Sequence, residues 1–241
     1  MVAPVRARRL RPRGAAAAFL TALLLLATAV SATAQSQIDR SPEYLTGSFW
    51  VDLEPPVARD DEEYPLSEER AVRLMLEEAR YVFGGMIYGF RFRYVPSDRR
   101  RSVAEEFELE PVAEMRFGDP RLSVLSTREE DFRLHGRFEY RLADFQRSRR
   151  AGWLSSDIPS VGGEGEEPMW EGHSARLPAV EDAIRLALRG LLRTMTDNKP
   201  REARGSLVLL EAPRIYITSG AYRARVDIKV KVDEMRQYQV Y

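Results

Sequence analysis

The stretch that decides the fold is PAVEDAIRLALRGLLRTMTDNKPREARGSLVLLEAPRIYITSGAYRARVDIKVKV, which runs from Pro178 to Val232. Its first part, up to Met195, carries apolar residues at spacings of three and four, which is the pattern of an amphipathic helix. From Tyr222 onward apolar and charged residues alternate, which indicates a strand with one buried and one solvated face. A helix and a strand that each have one apolar face can bury those faces against each other. We therefore expect a helix that covers a β-hairpin.

The preceding part of the chain shows the same order of helix and strands. Ser67 is a suitable N-cap for a helix that we expect to end at Gly84. An alternating strand follows from Met86 to Tyr94, and further strands are predicted around residues 107–109 and 132–142. The predicted fold class is α+β, with two amphipathic helices packed on one face of an antiparallel β-sheet.

Charged residues on two of these strands are complementary. Arg91 and Arg93 lie on the polar face of the first strand, and Glu106 and Glu108 lie on the polar face of the next. Opposite charges on neighbouring strands attract each other across a sheet. We expect arginine–glutamate pairs between these two strands.

The beginning of the chain has the features of a secretory signal peptide. Five arginines precede the uncharged apolar run from Ala15 to Val30, and Ala32-Thr33-Ala34 gives the small-x-small pattern that signal peptidase cleaves. We predict cleavage before Gln35. An uncleaved membrane anchor is the alternative, although the apolar run is shorter than the span of about 20 residues that crosses a bilayer.

This prediction sets the expected organisation of the chain. Residues 1–34 are the cleaved signal peptide, and residues 35–65 are a loose N-terminal segment with one short strand. Residues 66–241 form a single α+β domain. Within that domain the regular patterns disappear between residues 143 and 177, which we interpret as a long loop that is either functional or disordered.

Composition limits the classes of function. The chain contains no cysteine, which excludes disulfides and thiolate chemistry. Its 37 basic and 37 acidic residues balance, so loss of the five N-terminal arginines would leave a formal charge of minus five. We therefore expect no nucleic-acid partner. We also expect no membrane-spanning segment after signal cleavage, and a periplasmic or otherwise exported location.

The candidate binding residues lie in the expected loop. Trp153, Trp170 and His173 combine aromatic anchors with a titratable group, and exposed tryptophans are common at protein interfaces. His173 is near several carboxylates and Ser155 in sequence, but the chain lacks the motifs of serine hydrolases and zinc proteases. We predict no catalytic residue, no metal site and no cofactor.

One part of the chain resembles a known group of proteins. The run EEARYVFGGMIYGFRFRYVPSDRRRSVAEEFELEP (Glu77–Pro111), followed by GDPRL (Gly118–Leu122), is similar to uncharacterised exported proteins of spirochaetes. This resemblance implies a periplasmic or envelope setting. It implies no activity and no functional residue.

These observations lead to three hypotheses about function. The first is a non-enzymatic exported envelope protein that acts as a binding or assembly module with an envelope protein as its partner. The second is a periplasmic hydrolase that uses His173 and nearby carboxylates of residues 143–177. The third is a carrier or sensor for a small apolar ligand held between the helices and the sheet.

Overall fold

The computed structural model describes residues 43–55, 63–196 and 198–238. The predicted signal peptide, residues 1–34, and its cleavage site therefore lie outside the described residues, as do parts of the 35–65 segment. The described chain forms the following strands and α-helices: β1 (Tyr44–Asp52), α1 (Glu68–Ile87), β2 (Phe90–Val95), β3 (Glu106–Pro111), β4 (Leu122–Glu130), β5 (Arg133–Arg141), α2 (Asp144–Trp153), β6 (Ser160–Pro168), α3 (Arg176–Met195), β7 (Glu202–Leu209), β8 (Arg214–Thr218) and β9 (Ala221–Arg236).

The strands form two antiparallel sheets. The smaller sheet has the order β1-β5-β4, and the larger sheet has the order β3-β2-β7-β9-β6, with β8 paired to β9. Strand β9 is 16 residues long and pairs with β6, β7 and β8. The predicted α+β class with antiparallel pairing is confirmed. The third helix and the second sheet were not predicted.

The two long helices supply much of the core. Helix α1 contacts β1, β5 and β7, whereas α3 contacts β6 and β9. Ser67 is the N-cap of α1, as predicted, because its hydroxyl accepts a hydrogen bond of 3.2 Å from the backbone N–H of Arg70. The apolar faces of the helices and strands meet in one continuous buried cluster. None of the helices in the described residues is both long enough and apolar enough to pass through a bilayer.

The expectation of a long loop between residues 143 and 177 is wrong. This segment contains α2, β6 and a 3-10 helix from Met169 to Ala175. Strand β6 lacks the usual apolar alternation because α3 lies directly on it. A Cβ on Gly163 would be 2.3 Å from the carbonyl oxygen of Ala183, so glycine stands where an apolar side chain would otherwise mark the strand.

Helix α2 was missed for a different reason. Its buried residues are Gln146, Arg150 and Trp153, so its inner face has no apolar periodicity. The Arg150 guanidinium donates hydrogen bonds of 2.8 Å to the carbonyl of Met86 and 2.7 Å to the carbonyl of Leu210. A buried polar side chain that bonds to backbone carbonyls can replace an apolar contact, but it leaves no hydrophobic pattern in the sequence.

The boundary between α1 and β2 also differs from the prediction. Helix α1 continues through Gly84 to Ile87, and β2 begins only at Phe90. The expected charge pairing between β2 and β3 is confirmed. Arg93 lies 2.9 Å from carboxylate oxygens of both Glu106 and Glu108.

Candidate functional site

The three predicted binding residues do not form one site. Trp153 is only 7% exposed and packs with Ile158 and Val208 in a small apolar cluster. The Nζ atom of Lys231 lies 4.5 Å from the centroid of the Trp153 ring, which is a cation–π contact. The expectation of an exposed Trp153 is therefore wrong, because this ring fills an apolar cluster beneath α2.

Trp170 and His173 lie together on the 3-10 helix that precedes α3. Trp170 is 65% exposed, and its role in binding stays a prediction. His173 points toward the interior instead. Its Nε2 atom lies 3.7 Å from a carboxylate oxygen of Glu78 in α1.

The carboxylate of Glu78 belongs to a buried ion pair. Arg176 donates hydrogen bonds of 2.9 and 3.0 Å to its two oxygens, and both side chains are 2% exposed. The Arg176 guanidinium also lies 4.1 Å from the ring centroid of Trp50 and 5.8 Å from that of Tyr222. These contacts join α1, α3, β1 and β9, so the arrangement is suited to holding elements together.

Several polar groups in and beside this buried cluster already make hydrogen bonds within the protein. Both oxygens of Glu78 already accept hydrogen bonds from Arg176. The Ser174 hydroxyl next to His173 donates to the carbonyl of Glu171. Within the described ranges, no group of three or more His, Asp or Glu residues is placed to hold a metal ion.

A second region has stronger binding features. A cleft of about 1060 Å³ lies beside the turn between β2 and β3, the C-terminal part of α3 and the end of the chain after β9. Five cationic side chains line it, and Asp98 is the one carboxylate among its described lining residues. We call it the basic cleft, defined by these cations: Arg99, Arg100, Arg101, Arg189 and Lys199.

The β2–β3 turn presents three consecutive arginines on a short 3-10 helix. Asp98 begins this helix and accepts a hydrogen bond of 2.9 Å from the backbone N–H of Arg100. Its carboxylate also lies 2.5 Å from Arg101, and this hydrogen bond lowers the pKa of Asp98. Asp98 is therefore neutralised by Arg101. In the part of the chain that the structure describes, Arg99 and Arg100 have no carboxylate partner.

The other walls of the basic cleft come from distant parts of the sequence. Lys199 donates a hydrogen bond of 2.8 Å to the carbonyl of Ser97. Arg189 of α3 lies 3.8 Å from the carboxylate of Glu105. The ring of Tyr238 lies under the guanidinium of Arg101, at 4.1 Å from its centroid. These contacts fix the positions of the cleft walls, whereas Arg99 and Arg100 are exposed.

A smaller pocket continues from the basic cleft. It has a volume of about 250 Å³ and shares Arg189 and Lys199 with the cleft. Tyr94 and Leu192 line its inner side. The tyrosine hydroxyl donates to Glu105, and burial is the main cause that raises the pKa of Tyr94. The tyrosine therefore stays neutral next to the arginines.

The basic cleft was not found from the sequence. The sequence patterns assign no functional role to Arg99–Arg101 or to Lys199. Arg189 fits the polar face of an amphipathic helix, which gives no reason to expect a binding role. The run of three adjacent arginines in a tight turn is the sequence feature that could have indicated the cleft. Their proximity to α3 depends on pairing between β2, β7 and β9, which the sequence patterns did not specify.

The chain is similar in sequence to other known proteins. A family model matches residues 31–238. An "Uncharacterized protein" of Treponema pallidum (strain Nichols) is 28% identical over 192 residues, which is 80% of each chain. No solved structure matches the chain.

Proposed function

The chain belongs to a family of uncharacterised spirochaete proteins, and we propose that it is a non-enzymatic exported envelope protein that acts as a binding module through the basic cleft. The observation that carries this proposal is the cleft itself. It has a volume of about 1060 Å³ and five cationic side chains among its lining residues. Ligand-binding sites are usually concave, and polar or charged groups in them fix the orientation of the ligand.

The cluster of cations in the cleft contrasts with the net charge of the whole protein. The complete chain has a formal charge of zero, and loss of the five arginines before residue 35 would make it acidic. A basic cleft on an acidic protein attracts anions locally without attracting them to the rest of the surface. This contrast favours a specific anionic ligand over general adhesion to anionic polymers.

We further propose that both long helices cover one face of the larger sheet, which would make the fold a rigid support for the cleft. A Cβ on Gly85 of α1 would lie 3.0 Å from Leu209, and Leu209 pairs with Ile228 of β9. Gly163, whose Cβ would lie 2.3 Å from α3, pairs with Val226 of the same strand. Ile228 and Val226 are two residues apart, and such residues point to the same face.

The proposed export can be tested by locating the protein in its own cells and by determining its N-terminal sequence. The basic head, the apolar run and the Ala32-Thr33-Ala34 pattern support cleavage by signal peptidase. We expect fractionation to recover the protein with the envelope and N-terminal sequencing to begin at Gln35. Recovery in the cytoplasm with an intact N-terminus would contradict the proposed location.

Binding is tested by capture from an envelope extract of the same organism. We expect immobilised protein to retain an envelope component that Arg99→Glu/Arg100→Glu does not retain. The control is Arg128→Glu/Arg214→Glu, which makes the same change of charge at two surface arginines with 73% and 78% exposed side chains. Equal retention by all three proteins would refute a role for the cleft. Deletion of residues 155–170 is not a suitable test, since it would remove β6.

Hydrolysis by His173 is the second candidate. It is favoured by the distance of 3.7 Å between His173 Nε2 and Glu78, because a carboxylate can orient a catalytic imidazole. If this candidate is correct, His173→Ala abolishes hydrolysis of ester, phosphate or glycoside substrates and His135→Ala does not. Equal activity in the two variants would eliminate it.

A further inference from the structure

We propose that the basic cleft binds the phosphate groups of a ligand that carries at least two of them close together. This inference rests on the proposed binding function of the cleft and names its ligand class. It depends on the type, number and spacing of the cations.

Arginine predominates among these cations. The cleft contains four arginines and one lysine, and the three of the β2–β3 turn are consecutive. A guanidinium presents N–H groups in a planar fork that matches two oxygens of a phosphate, and lysine adds a point charge. Carboxylate ligands also accept such pairs, but a phosphate presents three oxygens and a larger charge, so several guanidinium groups can bind one phosphate at once.

The number of free cations indicates more than one phosphate. Asp98 neutralises Arg101, and Glu105 lies next to Arg189. Arg99, Arg100 and Lys199 have no carboxylate partner in the ranges that the structure describes. One phosphate monoester carries a charge of about −1.5 to −2 at neutral pH, which leaves part of this positive charge unmatched. Two adjacent phosphate groups match it more closely.

The cleft does not have the construction of a nucleic-acid site. Single-stranded nucleic acid is usually bound by several aromatic rings on which bases stack. Tyr238 is the aromatic residue among the described lining residues, and the Arg101 guanidinium already covers its ring. The proposed ligand is therefore a compact phosphorylated molecule or a lipid headgroup, both of which present clustered phosphate oxygens.

Calorimetry with inorganic pyrophosphate is the direct test. The full chain is expressed and the purified protein is titrated with pyrophosphate and, separately, with sulfate. We expect pyrophosphate to bind at least tenfold more tightly than sulfate, and Arg99→Gln/Arg100→Gln to weaken its Kd at least tenfold. Arg128→Gln/Arg214→Gln should leave the Kd unchanged, and thermal unfolding should show that both variants fold. Equal binding of the two anions, or equal loss in the two variants, would overturn the proposal.

Two further experiments are needed. The first distinguishes a lipid headgroup from a soluble ligand, and the second distinguishes failure of the phosphate inference from failure of the proposed binding function. Sedimentation with phosphatidylcholine vesicles that contain cardiolipin, whose headgroup carries two phosphates, supports a lipid headgroup if the cleft variant abolishes it. Pyrophosphate binding without sedimentation supports a soluble ligand. Binding of a single-stranded oligonucleotide in preference to pyrophosphate would overturn the assignment to a compact phosphate. If an envelope component is retained through the cleft but excess pyrophosphate does not displace it, the phosphate inference is wrong and the binding function stands.

Discussion

Arg176 and Glu78 form a two-bond ion pair in which both side chains are 2% exposed. The pair joins the first residue of α3 to the middle of α1, 98 positions earlier in the sequence. Because charged groups are costly to remove from water, each partner depends on the other for compensation. Substitution of either residue alone should therefore disturb the packing of the two long helices.

Removal of the cation alone should destabilise the protein strongly. We expect Arg176→Met to lower the free energy of unfolding by about 3–5 kcal/mol, because it leaves the Glu78 carboxylate buried without its partner. Urea unfolding followed by circular dichroism measures the loss. The control is Arg73→Met, whose ion pair with Glu69 has 55% and 88% exposed side chains and should contribute below about 0.5 kcal/mol.

The double variant Glu78→Met/Arg176→Met distinguishes charge compensation from packing. Since two apolar side chains leave no buried charge, we expect this variant to be more stable than Arg176→Met alone. A double variant that is less stable than either single variant would contradict this account of the pair.

The close contact between β6 and α3 makes Gly163 intolerant of any side chain. A Cβ at this position would lie 2.3 Å from the Ala183 carbonyl oxygen and 2.7 Å from the Ala187 side chain. We expect Gly163→Ala to cost about 2 kcal/mol through overpacking, measured by thermal or urea unfolding.

Gly190 of the same helix provides the matched control. A Cβ there would meet no atom within 4 Å. Alanine favours a helix more than glycine, so Gly190→Ala should stabilise the protein by about 0.5–1 kcal/mol. Equal effects of the two substitutions would show that α3 does not press on β6 at Gly163.

Replacement by alanine of each of the two tryptophans in the 143–177 segment should change the stability of the protein by different amounts. Trp153 is 7% exposed and Trp170 is 65% exposed. We expect Trp153→Ala to cost about 3 kcal/mol, as for other buried aromatic residues. Trp170→Ala should change stability by less than about 0.5 kcal/mol. Fluorescence provides an independent check, because loss of the exposed Trp170 should shift the remaining emission to shorter wavelength.

Tyr222 should make the fold sensitive to alkaline pH. Burial, reinforced by the negative charge of Asp52, raises the pKa of Tyr222 from 10.0 to about 12. The folded state holds this proton more tightly than the unfolded state, so the contribution to stability is fully present below pH 10 and is lost as the pH rises through about 12.

We expect Tyr222→Phe to flatten the decline in stability between pH 10 and 12, as measured by urea unfolding at a series of pH values. Tyr44→Phe, which removes one hydroxyl from a 39% exposed side chain, is the control. An unchanged decline in the Tyr222 variant would show that this group does not titrate differently on folding.

The sequence predicts the parts of this fold whose burial leaves an apolar pattern. Residues such as Val180, Ile184 and Leu188 mark the inner face of α3, and all three are buried as expected. Strand β6 and helix α2 leave no such pattern. In β6 a glycine at residue 163 replaces the apolar side chain, and in α2 the buried Arg150 bonds to backbone carbonyls. Apolar periodicity carries no information about either arrangement.

The candidate site was less predictable than the fold, since it depends on strand order. Arg99 and Lys199 are 100 positions apart in the sequence, yet they line the same cleft. They meet because β2 pairs with β7 on one side, in addition to its sequence neighbour β3 on the other. Local patterns predict that a strand exists and which face is buried. They do not predict which distant strand pairs with it, so a cleft formed by turns that are far apart in the sequence cannot be predicted from those patterns.

The position of β9 in the larger sheet has a consequence for biosynthesis. This strand pairs with β6, β7 and β8 but follows each of them in the chain. A nascent polypeptide that has not reached residue 221 lacks the strand to which those three must bind. The larger sheet can therefore be completed only after β9 has been synthesised.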